Sequence, residues 1–82
     1  MLMVPVEGSN VISAYGWEPQ GRVNPRRGDP VTGVFAVEFV RGGTWHYLDV
    51  PERVLEDFLL AHSRGAFFLH NIRGKYPEVQ IE

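Results

Sequence analysis

The chain has 82 residues, ten acidic and eight basic, for a formal net charge of −2, and it contains no cysteine. That inventory excludes disulfides and thiolate metal sites, and it argues against a bulk electrostatic hold on nucleic acid, so such a contact would need a local basic patch. Hydrophobic residues at 44% and charged residues at 22% describe one globular domain rather than a disordered tail.

Residues 1 to 8 are apolar and then punctuated by Gly8, with Pro5 suited only to an edge strand. Met1-Leu2-Met3-Val4 lacks the basic flank of a leader peptide, and no apolar run matches a membrane span. The expectation is a cytoplasmic protein without membrane contact. From Asn10 to Trp17, the residues Val11, Ile12, Tyr15 and Trp17 favour a strand. Glu18 to Gly33 reads as a long loop, with three prolines and three glycines. Arg22, Arg26 and Arg27 fall inside it.

Val34 to Val40 alternates as a strand, with Phe35, Val37 and Phe39 on one face. Arg41-Gly42-Gly43 then turns the chain into a second strand, Thr44 to Val50. A two-residue loop would put Trp45 and Tyr47 on the face opposite Phe35 and Phe39. A three-residue glycine-bulge loop would put all of them on one face, and is favoured because two helices then cover a single aromatic surface. Pro51 suits a helix start, and Val54, Leu55, Phe58 and Leu59 form one apolar stripe after it. Ser63 can cap a second helix, which Gly74 stops with Arg73 and Lys75 beside it. The fold class expected is α+β: a three-stranded antiparallel sheet, with room for an extra N-terminal strand, packed on two C-terminal helices.

The ordered set Val37, Phe39, Gly42, Trp45, Tyr47, Val50, Pro51, Ala61, Ser63, Gly65, Phe67, Phe68, Ile72, Arg73 and Tyr76 resembles the KTSC domain. Upstream, Ser9-Asn10 and Tyr15-Gly16-Trp17 resemble the Ser-Ser and Gly-Tyr opening of that family. The likeness covers positions 6 to 76 and implies one domain over residues 1 to 82. The family is a small module named for the C-terminus of some lysyl-tRNA synthetases, and it also stands alone in bacterial and phage proteins. It carries no established activity; the resemblance implies a binding role, with RNA binding suggested. Phe67 stands where the family commonly has tyrosine, and Leu69 where it has asparagine. The 18–33 gap is longer here than is usual in the family.

Three constellations could carry chemistry. The histidines His46, His62 and His70 lack metal-ligand spacing, and Ser9, Ser13 and Ser63 lack a nucleophile context, so neither an enzyme nor a metal or cofactor site is expected. The guanidinium groups of Arg22, Arg26, Arg27 and Arg73 suit phosphate oxygens. Tyr15, Trp17 and Tyr47 offer rings on which bases stack, although a small core also needs such side chains. The expected ligand is RNA or a small nucleotide, including a nucleotide signal sequestered in a phage-like setting. The competing reading is a protein interaction or assembly module. A domain this small also gains burial by forming a homo-oligomer.

Overall fold

The structure is a computed structural model that describes residues 1 to 20 and 31 to 82. Its order is β1 (Met3–Pro5), β2 (Ile12–Pro19), β3 (Thr32–Phe39), β4 (Thr44–Pro51), α1 (Glu52–Leu60), α2 (Arg64–Asn71) and β5 (Glu78–Gln80). The strands form one antiparallel sheet in simple sequence order, β1-β2-β3-β4-β5. The sheet therefore has five strands rather than three. The N-terminal strand is present as an edge, and Pro5 ends it, where no ladder donor is lost. The second addition, β5, comes back after α2 and closes the other edge.

The connection expected over 18–33 is shorter at both ends. Glu18 and Pro19 belong to β2, Thr32 and Gly33 belong to β3, and the Gln20 N–H donates to the Thr32 carbonyl at 2.9 Å. Arg22, Arg26 and Arg27 lie outside the described residues.

The β3–β4 hairpin settles the facing of its aromatic residues. The Phe39 N–H donates to the Gly43 carbonyl at 3.0 Å, closing a three-residue loop, Val40-Arg41-Gly42. Gly42 has φ +101°, the left-handed region that this loop requires and that glycine enters without a Cβ penalty. Tyr47 is then the partner of Phe35, and Trp45 of Val37. Direct partners share a face, so all four point to the same side. The same ladders bring Tyr15 beside Val37 and Trp17 beside Phe35. Farther along, Asp49 takes a positive φ of 56°, where the β3–β4 register shifts by one residue.

Both helices lie over this face. Helix α1 begins at Glu52, one residue later than the proline suggested, because Pro51 still pairs with Thr32 as the last residue of β4. Phe58 is fully buried among Tyr15, Phe35 and Phe67. Burial of one such side chain is worth roughly 1.5–3 kcal/mol relative to leaving it exposed. Val54 and Leu55 are half-buried, but Leu59 sits at the exposed end of the stripe. Ser63 caps α2, its hydroxyl accepting the Ala66 N–H at 3.2 Å. Phe68 of α2 inserts edge-on between Phe39 and Tyr47. Gly74, at φ +75°, carries the left-handed turn beyond α2. None of the described helices is long and apolar enough to cross a membrane.

Candidate functional site

Helix α2 does not cover the whole face. It leaves a cleft of about 550 Å³ between itself, the β3–β4 hairpin and β5, within the span of about 300–1,000 Å³ usual for small-ligand sites. Trp45 and Tyr47 line it from β4, with Phe39, Val11 and Leu69 as apolar walls. Asn10, Arg41, Arg73 and Glu78 supply its polar groups.

Each polar group owes its place to a local feature. Arg41 rides the three-residue hairpin loop that Gly42 makes possible. Arg73 follows the end of α2, where its N–H donates to the Phe68 carbonyl at 2.9 Å. Both arginines are exposed. Glu78 is delivered by β5 directly opposite Tyr47. Two guanidinium groups against one carboxylate leave the cleft with one net positive charge in a chain whose total is −2. This is a local basic patch of the kind the composition demanded for any anionic ligand.

Tyr47 links the cleft to the core. The residue is 2% exposed, and its ring meets that of Phe68 edge-on at 5.3 Å. Burial pushes the phenol well above its ordinary value, and a hydrogen bond to the Glu78 carboxylate, with the charge of that carboxylate, pushes it further; nearby Arg73 opposes the shift. The phenol therefore stays protonated and serves as a donor through the whole ordinary pH range.

Of the residues picked from sequence, Tyr47 and Arg73 meet in this cleft. Tyr15 and Trp17 do not join them. Tyr15 stacks on Phe35 with ring centroids 6.2 Å apart and meets Phe58 at 5.3 Å, which makes it part of the core beneath α1. Trp17 is half-buried, its ring lying across Gly33, where a Cβ would come within 2.6 Å of it. Arg22, Arg26 and Arg27 are outside the described residues. The structure adds Asn10, Arg41 and Glu78, which sequence reasoning missed. An arginine placed in a glycine turn was the available signal for Arg41; Glu78 had none, because its position depends on β5.

A second hollow of about 320 Å³ lies between the β1–β2 turn and the α1–α2 joint, with Glu7, Ser9, His62, Ser63 and Arg64 in its lining. Its serine hydroxyls are already engaged. Ser9 Oγ accepts the N–H groups of Val11 and Ile12 at 3.1 and 3.0 Å, and Ser63 Oγ caps α2. Among the described residues, no group of three His, Cys, Asp or Glu side chains is arranged to hold a metal ion.

Comparison with known proteins places this architecture. The model of the KTSC domain matches residues 29–76. A curated protein of Tsukamurella paurometabola is 32% identical over 79 residues, which is 96% of this chain and the whole of that protein. The crystal structure of a KTSC domain protein from Yersinia pestis superposes with a TM-score of 0.78 at 32% identity, over 99% of this chain and 97% of that one. By matched sequence, by length and by fold, the chain belongs to the KTSC domain family.

Proposed function

We propose that this protein is a non-catalytic, cytoplasmic binding module that holds a phosphate-bearing ligand, RNA or a small nucleotide, in the cleft between the hairpin, α2 and β5. One observation carries the reading: Arg41 and Arg73 project into the same cleft as Trp45. Guanidinium forks match phosphate oxygens, and an indole face takes a stacked base. The Glu78 carboxylate, held by the Tyr47 hydroxyl, adds an acceptor beside them. The family's occurrence beside a tRNA synthetase points the same way.

The test is a titration of the parent, of Arg41→Ala/Arg73→Ala and of Arg26→Ala/Arg27→Ala against nucleoside mono- and triphosphates and short RNAs. Loss of a charge-assisted hydrogen bond costs about 1.5–3 kcal/mol, so the cleft variant should bind at least tenfold more weakly while keeping the parent's fold. A loss confined to the Arg26/Arg27 variant moves the site to the 18–33 connection. Equal binding by all three proteins, or binding by none, overturns the reading and leaves the assembly module.

A further inference from the structure

We propose that the base taken by the cleft is guanine, in a free nucleotide or unpaired in a strand, and that Glu78 selects it; this rests on the nucleotide reading of the same cleft. The groups that line it follow β4 in an order that suits a nucleotide. Arg41 stands on the hairpin loop before the strand, Trp45 comes next, and Tyr47 follows with Glu78 directly opposite it. Trp45 itself pairs with Gln80, so Glu78 is its diagonal neighbour across the β4–β5 ladder. Diagonal neighbours stand about 7–8 Å apart, within reach of aromatic and long side chains. A base stacked on the indole therefore has an arginine toward the hairpin and a carboxylate toward its other end.

The carboxylate decides which base fits. Tyr47 keeps its proton and donates it to Glu78, so the carboxylate can only accept. An ionised carboxylate offers about four lone-pair sites on its two oxygens, and the phenol takes only one of them. Both oxygens can still accept from a ligand. Among the RNA bases, guanine presents adjacent N–H donors on its Watson–Crick edge, at N1 and at the N2 amino group, spaced to meet both oxygens of one carboxylate. Adenine and cytosine set an amino group beside an unprotonated ring nitrogen, and uracil sets its N–H between carbonyls. Each of these turns a lone pair against the carboxylate, and such a mismatch rejects the wrong ligand. A simple ammonium group is a poorer match as well. Arg73 lies near enough to Tyr47 to act on its phenol, and its charge repels a cation at Glu78 but not a neutral N–H edge.

The experiment is isothermal titration of the parent and of Glu78→Gln with the monophosphates of guanosine, inosine, adenosine, cytidine and uridine, and with an oligouridylate with and without one central guanine. The parent should bind guanosine monophosphate roughly ten- to a hundredfold more tightly than the adenosine, cytidine and uridine compounds, the discrimination that a bidentate base contact supplies. Inosine monophosphate, which lacks only the N2 amino group, should fall between. Glu78→Gln keeps the shape of an exposed side chain, and should lose the guanosine preference. It should gain xanthosine monophosphate, whose carbonyl replaces that amino group and meets the amide N–H. Preference for the guanine-containing oligomer alone assigns the ligand to a strand, and equal preference for the monophosphate assigns it to a free nucleotide; both support guanine. If every monophosphate and both oligomers bind the parent alike, guanine selection is overturned while the phosphate-binding cleft stands. A guanosine preference that survives in Glu78→Gln overturns the role of Glu78. Binding of none overturns the cleft reading and this inference with it.

Discussion

Tyr47 of β4 stands directly opposite Glu78 of β5, and that pair joins the buried core to the cleft. The ring side of Tyr47 belongs to the core beside Phe68, while its hydroxyl reaches the carboxylate on the cleft side. Any change in the charge of either group is therefore felt both in stability and at the site.

This arrangement makes stability fall at high pH. The phenol is raised above its unfolded value of 10.0 by burial first and by Glu78 second. A raised acid binds its proton more tightly in the folded state, so its contribution is complete below about pH 10 and is lost as pH rises beyond. The slope from one such group approaches about 1.4 kcal/mol per pH unit. Denaturation midpoints between pH 8 and 11 should fall for the parent, and Tyr47→Phe should flatten that fall. An identical pH dependence in the two proteins would show that Tyr47 does not titrate late.

Phe58 is the centre of the α1 contact, fully buried against three aromatic rings. Phe58→Ala should cost about 3–5 kcal/mol, from lost transfer energy and the cavity left behind. In a domain of 82 residues this is enough to bring unfolding into the accessible range at ambient temperature. A urea midpoint equal to the parent's would show that the contact contributes nothing.

The helices and the helix-covered face were legible from local chemistry. A proline start, the Phe58 stripe and the Ser63 cap are each decided within a few residues of chain. The hairpin facing was legible as well, because Gly42 restricts the loop and the loop sets the register. The strand β5 was not. Glu78, Val79 and Gln80 are too few for alternation to show, and they become a strand only because β4 offers an open edge. With β5 unread, Glu78 stayed unassigned and the cleft could not be assembled around Arg41 and Arg73. Tyr15 and Trp17 were equally hard to place, since a ring that fills a core and a ring that stacks a base look alike in sequence.

Gly33 reports on the packing of Trp17. A Cβ there would lie 2.5 Å from the Glu18 carbonyl oxygen and 2.6 Å from the indole. Backbone cannot yield as a flexible side chain can, so Gly33→Ala should destabilise by about 1–3 kcal/mol, the usual cost of overpacking. Tryptophan fluorescence should shift in the same variant as Trp17 is displaced. An unchanged midpoint with unchanged emission would contradict this packing.

Trp45 decides whether the cleft stacks a base or only holds an anion. It is half-buried, packs against the core and lines the cleft from β4. If a base stacks there, Trp45→Ala should weaken nucleotide binding by about 1–3 kcal/mol, and Trp45→Phe, which keeps an aromatic face, should recover most of the loss. A purely electrostatic site would instead treat inorganic phosphate and a nucleotide alike and be indifferent to Trp45→Phe. Salt separates the two ligand classes. With phosphate contacts limited to Arg41 and Arg73, the logarithm of the binding constant for single-stranded RNA should fall with that of salt at a slope near −1.4, from about −0.7 for each of two contacts. A much steeper slope would mean that basic groups beyond the cleft, such as the 18–33 arginines, share the ligand. Isothermal titration of the parent and both Trp45 variants at several salt concentrations measures all of these outcomes together.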